Sequence, residues 1–300
     1  MPTSELAPQS IFGHAATVFD DLDVALSTRT EYKWRVQAFF SYLAGKPLTT
    51  QSYLEYKRYL QGRTDLSVST KNKYLVTARI FLRELTRRGL LPADITLNVR
   101  VFKQSKKHRQ DGLSDQDMAR LTEWLRSLPD TRTNARLKAL VCLLALQGLR
   151  QIEVCRLNVA DLDLVAQVAH VHGKGRDDQE PVDLNPQTAQ ALREYLKTAH
   201  VADGPLFPSW HRSGRYNRLT PRHIRRIIRQ ALDGLGIDKT THGFRHWFTT
   251  QLLDSYGGDL LEVRQYTRHA GIETLRIYDD RRKQKDDLPR FYGAFKEVVL

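Results

Sequence analysis

Apolar residues recur at helical spacing in two stretches of the first hundred residues. One stretch runs from Thr28 to Leu43 and the other from Ser69 to Arg88, and both carry apolar residues at offsets 0, 4, 7, 8 and 11. This spacing predicts an amphipathic helix in each stretch. A shorter helix is predicted over Gln51 to Leu60, so this part of the chain is predicted to be a small helical bundle. The predicted core residues are Tyr32, Val36, Phe39, Phe40 and Leu43 in the first helix and Tyr74, Ala78, Phe81, Leu82 and Leu85 in the third.

Helical periodicity is lost between Arg100 and Asp111, where positive side chains accumulate. We therefore predict a helical domain at residues 1–105, a basic linker at 106–111 and a second domain at 112–300. A run of positive charge between two domains is either a solvated tether or a contact with backbone phosphate. The candidates for phosphate contact are Lys103, Lys106 and Lys107.

The second domain carries helix signals along most of its length. Nearly every residue from Leu137 to Gln147 is apolar, which predicts a central buried helix. Three start signals place a side chain that can accept from the free N–H groups of a first helical turn. They are Ser114 with Asp117 three residues later, Asn185-Pro186 and Thr220-Pro221.

One segment of the second domain has the pattern of a β-hairpin. Two stretches, Val165 to His172 and Glu180 to Leu184, flank a turn at Gly173-Lys174-Gly175 and the polar residues that follow. The predicted fold class is therefore mainly α, with a second domain that is mostly helical and contains a small β-sheet.

The helix predicted from Pro221 to Leu235 has an apolar face and a cationic face. The cationic face is formed by Arg222, Arg225, Arg226 and Arg229. It is either a solubilising surface or a surface that faces an anion, because four arginines without an acid among them repel one another.

Composition narrows the class of protein. The 300 residues carry 47 Lys and Arg against 34 Asp and Glu, a net charge of +13, and 41% are hydrophobic. This composition predicts a folded chain with a polyanionic partner and argues against disorder. The two cysteines are too few for a disulfide framework, and no stretch is long and apolar enough to cross a bilayer. We expect a cytoplasmic protein that makes no membrane contact.

Four short segments concentrate chemically capable residues, and each has a simpler interpretation when taken alone. Arg150 can pair with Glu153 one helical turn later, Lys174 can be a solvated hairpin charge, and a tyrosine such as Tyr278 is usually a packing residue. His242 and Arg245 can be a surface pair on one helix.

Taken together, the same residues are the groups that phosphoryl transfer without a metal or a nucleotide requires. Arg150 and Arg245 can each donate two parallel hydrogen bonds to phosphate oxygens and neutralise the transition state. A tyrosine phenol has a pKa near ~10, so Tyr278 needs a base or a positive field before it attacks phosphorus. His242 is the candidate base, Lys174 the candidate general acid, and His269 a candidate hydrogen-bond donor to the phosphate.

These segments resemble the motifs of the tyrosine recombinase, or phage integrase, family, with Xer-like enzymes the most similar in size. Gln147-Gly-Leu-Arg150 through Glu153 resembles the first arginine motif, with Gln147 in place of threonine. His242, Arg245 and His246 match the second motif, and Lys174 matches the β-hairpin lysine. His269 and Tyr278 keep the nine-residue spacing of the last motif, but Thr267-Arg268 replaces the usual Leu-Gly before the histidine and puts the local turn geometry in doubt.

The resemblance implies a fold and an activity that the residues alone do not. It implies a SAM-like helical core-binding domain followed by a catalytic domain with the DNA breaking-rejoining fold, both closed around duplex DNA as a clamp. It also implies site-specific recombination through a 3′-phosphotyrosyl intermediate, at inverted-repeat core sites and without a cofactor or metal. A homotetramer on DNA, or two pairs of related recombinases, is implied as well, and nucleoid association follows from the substrate.

Two other functions stay open at this point. A type IB topoisomerase uses nearly the same chemistry to relax DNA, and a catalytically silent DNA-binding regulator of a mobile element could retain the fold. The residues after Tyr278 favour a recombinase, because they predict an amphipathic helix that either packs on its own domain or docks on a neighbouring subunit. Its apolar residues are Phe291, Phe295, Val298 and Val299.

Overall fold

The computed structural model of the chain describes residues 17–104, 112–173, 178–210, 218–269, 271–287 and 289. Its contacts divide the chain into two compact units, Met1–Lys106 and Lys107–Leu300. The predicted basic linker at 106–111 lies outside the described residues, as do Lys106 and Lys107.

Within residues 17–104, the first unit includes the helices α1 at Leu26–Leu43, α2 at Ser52–Gly62 and α3 at Val68–Arg87. The predicted ends of these helices differ from the observed ends by one or two residues. Helix α3, for example, begins at Val68, because Ser67 caps it by accepting a hydrogen bond from the N–H of Thr70.

The predicted apolar faces form the core of the first unit. Phe40 of α1 meets Phe81 of α3 edge to face, with 5.2 Å between ring centroids. Tyr32 and Tyr74, at the first position of each pattern, are only partly buried and pack against the outside of this core.

The second unit is built around a buried helix. Helix α4 spans Asp115–Ser127, α5 spans Arg132–Ala145 and α6 spans Gln151–Arg156. Helix α5 was predicted over Leu137 to Gln147, but it begins five residues earlier, where Thr131 accepts from the N–H of Asn134. It ends at Ala145, two residues before the predicted Gln147, and the chain turns at Gly148, which has a φ of 57°.

A three-stranded antiparallel sheet follows, in the order β1 (Leu162–Asp163), β2 (Val168–His172) and β3 (Gln179–Asp183). The short β1 was not predicted. The strand predicted to begin at Val165 begins at Val168, because Asp163 accepts from the N–H groups of the next residues and forms a turn instead. Val165, which the alternation placed in the strand, is 93% exposed.

Helices complete the second unit. They are α7 (Pro186–Ala199), α8 (Pro221–Asp233), α9 (Thr241–Ser255), α10 (Leu260–Thr267) and α11 (Ile272–Asp286). The caps predicted at Asn185 and Thr220 are present, and α8 ends two residues before the predicted Leu235. The fold class is confirmed: mainly α, with a small sheet.

Candidate active site

Arg150 lies at the start of α6, where its own helix fixes it. Glu153, one turn later, is completely buried, and its Oε1 accepts from Arg150 Nη1 at 2.7 Å. Glu153 Oε2 accepts from the backbone N–H of Arg150 at 2.8 Å. The local pair considered from the sequence therefore forms. It leaves Arg150 partly exposed, with 30% of its side chain accessible, so the same guanidinium is available to a ligand.

Arg245 is held inside the second unit by two main-chain carbonyls. Its Nη1 donates to the carbonyl of Gly148 at 2.5 Å, and its Nη2 donates to the carbonyl of Thr267. Position 148 must be glycine for α9 to pack this closely against it, because a Cβ there would lie 2.3 Å from the ring of Phe248 on α9. Arg245 is thereby fixed next to the segment that carries Arg150.

The turn after α10 carries Thr267, Arg268 and His269, which are all largely buried. His269 Nδ1 lies 2.9 Å from Thr267 Oγ1, so the hydroxyl orients the ring. Arg268 adopts a left-handed conformation with φ of 52° and donates to Glu153 Oε2 at 2.8 Å. The turn geometry that the Thr-Arg sequence put in doubt is therefore formed without glycine.

Tyr278 lies on α11 and packs into a small apolar cluster with Leu253, Val263 and Leu275, so that it is only 7% exposed. Its ring lies 6.1 Å from the ring of His269, centroid to centroid, and 4.6 Å from the ring of His246. Three helices thus fix the tyrosine beside two histidines.

The two other residues of the second motif differ in exposure. His242 is exposed at the start of α9, whereas His246, one turn later, is buried. The His246 ring contacts His242 at 5.0 Å and Tyr278 on its other side. His246 therefore connects the candidate base to the candidate nucleophile.

The site is electropositive, and the pKa shifts show it. Burial and then the charge of Arg150 lower the pKa of Arg245 to about 10. Burial, then Arg245 and Arg150, lower the pKa of His269 to about 3, so this imidazole is neutral at any working pH. Burial raises the pKa of Tyr278, although Arg245 and Arg150 oppose the rise. The phenol is therefore protonated until something removes its proton.

The structure brings together most of the predicted site residues. Arg150, Arg245, His269 and Tyr278 come from four separate segments, and the charges of Arg150 and Arg245 lower the pKa of His269 and oppose the rise in the pKa of Tyr278. His242 joins them through His246. Lys174 lies outside the described residues, so its place relative to the site stays a prediction.

The predicted DNA-binding residues are exposed where the structure describes them. Lys103 is exposed in the first unit, and Arg222, Arg225 and Arg226 are exposed on α8. The cationic face was predicted to carry four arginines without an acid among them, and this prediction is wrong for Arg229. Arg229 pairs with Asp233 at 2.7 Å and with Asp238 at 3.0 Å, so acids one turn on and after the helix neutralise it.

Sequence reasoning assigned no role to four residues that the structure places in the site. Glu153, His246 and Thr267 each contact a predicted site residue, and Arg268 is linked to Arg150 through Glu153. Glu153 and His246 fall inside the recognised motifs, which was a usable signal. Thr267 and Arg268 were noted only because they replace the usual Leu-Gly of the last motif. No local sequence pattern identifies the residues that they contact.

Among the residues that the structure describes, no group of three or more His, Cys, Asp or Glu side chains is placed to hold a metal ion. No helix in the described ranges combines the length and hydropathy of a membrane span.

Comparison with known proteins shows what this chain resembles. The model of the phage integrase family matches residues 112–285. Tyrosine recombinase XerC of Lactobacillus delbrueckii subsp. bulgaricus is 30% identical over 223 residues, which cover 71% of this chain and 72% of that protein. Tyrosine recombinase XerD of Lacticaseibacillus casei is 27% identical over 268 residues, covering 85% and 88%.

Solved structures show the same fold. XerH recombinase bound to palindromic difH substrate in a post-cleavage complex has a TM-score of 0.70 at 17% identity, covering 97% of this chain and 90% of that chain. A lambda integrase dimer bound to a COC′ core site has a TM-score of 0.69 at 13% identity, covering 91% and 95%.

The chain therefore belongs to the phage integrase family. Within that family it is a Xer-like tyrosine recombinase, a site-specific DNA recombinase.

Proposed function

We propose that this recombinase cuts DNA by attack of the Tyr278 hydroxyl on a scissile phosphate. The Tyr278 Oη–P bond forms and the bond from phosphorus to the deoxyribose 5′-oxygen breaks, which leaves a 3′-phosphotyrosyl link and a free 5′-hydroxyl. His242 accepts the phenolic proton and Lys174 protonates the departing 5′-oxygen. Attack by the 5′-hydroxyl of a partner strand reverses these steps and releases the tyrosine.

The observation that carries this proposal is the convergence of Tyr278 and two guanidinium groups in one largely buried site. Arg150 and Arg245 both lower the pKa of Tyr278 against the effect of burial. A positive field of this kind stabilises a phenolate and, equally, the charge that develops on a five-coordinate phosphorus. No divalent cation is needed to supply that charge.

His269 serves as a neutral hydrogen-bonding group in this mechanism. Its pKa of about 3 keeps it from acting as a cation. Its Nδ1 is engaged by Thr267 at 2.9 Å, which leaves Nε2 for a phosphate oxygen.

Duplex DNA would be held by the exposed basic residues. Arg222, Arg225 and Arg226 of α8 present three positive charges on one helix, and Lys103 adds one from the first unit. Lys106 and Lys107 are proposed to contact backbone phosphate from the linker. Such contacts position the enzyme on DNA without specifying sequence.

Strand exchange needs two cut sites, so we propose that four copies assemble on a pair of inverted-repeat core sites. The residues after Tyr278 would dock on a neighbouring copy. Deleting residues 287–300 should leave single-copy DNA binding intact and abolish pairing of sites. Recombination that is unchanged in the truncated protein would refute this assembly.

Covalent capture tests the chemistry without a known target. The tagged protein is expressed in cells that carry a plasmid library with random inserts, the cells are lysed in denaturant, and DNA that stays attached to the protein is sequenced. The recovered sequence is then made as a nicked duplex on which cleavage cannot be reversed. We expect an adduct from the wild type and from Tyr266→Phe, an exposed tyrosine on α10, and none from Tyr278→Phe.

The other outcomes separate the alternatives. A wild type from which no DNA is captured, but which binds duplex DNA when purified, would indicate a silent regulator. Relaxation of supercoiled plasmid that lacks the sequence would indicate a topoisomerase. An adduct that persists in Tyr278→Phe would overturn the assignment of the nucleophile.

A further inference from the structure

Position 268 is an unusual place for an arginine. It caps the end of α10 with φ of 52° and ψ of 39°, a left-handed conformation that costs an L-residue about 1 kcal/mol and costs glycine nothing. The Arg268 side chain is nevertheless buried, with only 9% of its surface exposed. Its contacts must therefore account for its presence.

Those contacts form a buried chain of charges. Glu153 is completely buried and binds Arg150 through Oε1 at 2.7 Å and Arg268 through Oε2 at 2.8 Å. Arg268 also approaches Glu180 of β3, with Nε 3.9 Å from the carboxylate. One carboxylate thus joins the arginine of the first motif to the turn that carries His269.

The charge balance shows what this chain of contacts does. Glu153 with Arg150 alone would form a neutral pair, and the guanidinium of Arg150 would be neutralised by its own helix. Arg268 supplies a second positive charge to the same carboxylate. Arg150, Arg245 and Arg268 against Glu153 and Glu180 still leave the site with one surplus positive charge for an anion.

The turn also connects this buried chain of charges to the rest of the site. Thr267, directly before Arg268, accepts from Arg245 through its carbonyl, and His269 follows directly. The ion pair between Arg268 and Glu153 therefore also holds the neighbouring residues Thr267 and His269 in position.

We propose that Arg268 is a positioning residue for the cleavage reaction. By binding Glu153 it keeps the Arg150 fork oriented and electrostatically available to the scissile phosphate. This inference rests on the role proposed above for Arg150.

The charges that face Glu153 predict a pH effect. Burial alone would raise the pKa of Glu153, but Arg268 in the first place, and hydrogen bonds from Arg150, hold it below its usual range. Arg245 also interacts with this carboxylate. Without Arg268, the largest of the lowering effects is lost, so the pKa of Glu153 rises relative to the wild type.

The variant Arg268→Gly tests the proposal, because glycine accepts the left-handed backbone and removes only the side chain. His200→Gly is the matched control, since His200 is exposed and caps α7 with φ of 53°. On the captured DNA sequence, we expect Arg268→Gly to cleave about a hundredfold more slowly with unchanged affinity. His200→Gly should cleave like the wild type.

Two further readouts separate positioning from a merely structural role. The rate deficit of Arg268→Gly relative to the wild type should shrink as the pH falls and Glu153 takes up a proton. Arg268→Gly combined with Glu153→Gln removes the unbalanced carboxylate and should recover about tenfold of the lost rate. A deficit that does not change with pH, together with simply additive losses, would overturn the proposal.

Urea unfolding tests the charge chain independently of DNA cleavage. In the wild type, Glu153 contributes stability above its unfolded pKa of ~4.3, and this stability is lost as the pH falls through the lower folded pKa. In Arg268→Gly the folded pKa is higher than in the wild type, so the variant should lose less of this stability and gain relative to the wild type as the pH falls from about 5 toward about 3. Equal pH dependence would overturn the charge chain, whereas a wild type that forms no adduct would overturn the proposed function alone.

Discussion

The ring of Tyr278 lies against the ring of His246, with 4.6 Å between centroids and 49° between the planes. The two residues come from α11 and α9, and the apolar cluster around Leu253 closes the other side of the tyrosine. His246 therefore sets the orientation of the phenol before any DNA is bound.

Replacing His246 separates packing from proton transfer. His246→Ala removes a ring contact of the kind that contributes about 0.5–1.5 kcal/mol, so we expect cleavage about tenfold slower with unchanged DNA affinity. His246→Phe keeps an aromatic ring and should retain most of the rate. Single-turnover cleavage of the captured sequence measures both. A Phe variant as slow as the Ala variant would show that the imidazole nitrogens are required.

Gly148 is required by both its conformation and its surroundings. Gly148→Ala forces a Cβ to within 2.3 Å of the Phe248 ring at a φ of 57° and displaces the carbonyl that Arg245 binds. We expect the free energy of unfolding to fall by about 2–4 kcal/mol and cleavage to be impaired.

Gly89→Ala is the control for that prediction. Gly89 has a φ of 71° but open space around its Cβ position, so alanine there meets backbone strain alone and should cost about 1 kcal/mol. Urea unfolding measures both variants, and equal losses would show that the contact with Phe248 is relieved.

The helices and their buried faces could be predicted from the sequence because their signals are local. Apolar spacing places Phe40 and Phe81 on core faces whatever the rest of the chain does, and Ser114 caps α4 through residues only three positions away. The start of β2 was wrong for the same reason: alternation near Val165 is a local signal, and the turn held by Asp163 overrides it.

The candidate site was predictable only where the motifs name its residues. The partners of Arg268 and Thr267 could not be predicted, because Glu153 precedes Arg268 by 115 positions and Arg245 precedes Thr267 by 22. Helical periodicity says nothing about such contacts. They follow from how α6, α9 and α10 pack, which only the folded chain defines.

Arg150→Lys tests the need for a guanidinium fork. Lysine keeps the charge but cannot donate two parallel hydrogen bonds, so we expect nearly normal DNA binding and cleavage slower by about a hundredfold or more. Arg126→Lys on the exposed side of α4 is the control. Cleavage at the wild-type rate would remove Arg150 from the catalytic groups.

The neutral His269 predicts a pH dependence of stability. Its folded pKa is about 3, whereas an unfolded histidine titrates near ~6.5. Below pH ~6.5 the unfolded chain binds a proton that the folded chain does not, so stability falls as the pH falls, by at most about 1.4 kcal/mol per pH unit. The wild type should therefore lose stability relative to His269→Gln between pH 7 and 5. Parallel urea-unfolding curves for the two proteins would contradict a depressed pKa.

The arginines of α8 should differ in their contribution to DNA binding, because among the described residues acids pair with Arg229 and with no other arginine of this face. Each phosphate contact contributes about 0.9 to the slope of log K against log salt. Arg222→Ala with Arg225→Ala should therefore reduce the slope by about two and weaken binding to any duplex. Arg229→Ala should change the slope far less, because Arg229 is already paired with Asp233 and Asp238. Fluorescence anisotropy on an arbitrary duplex across a salt series measures the wild type and both variants. A loss of slope in Arg229→Ala as large as half of that in the double variant would mean that DNA displaces those acids. An unaltered slope in the double variant would leave this face a solubilising surface.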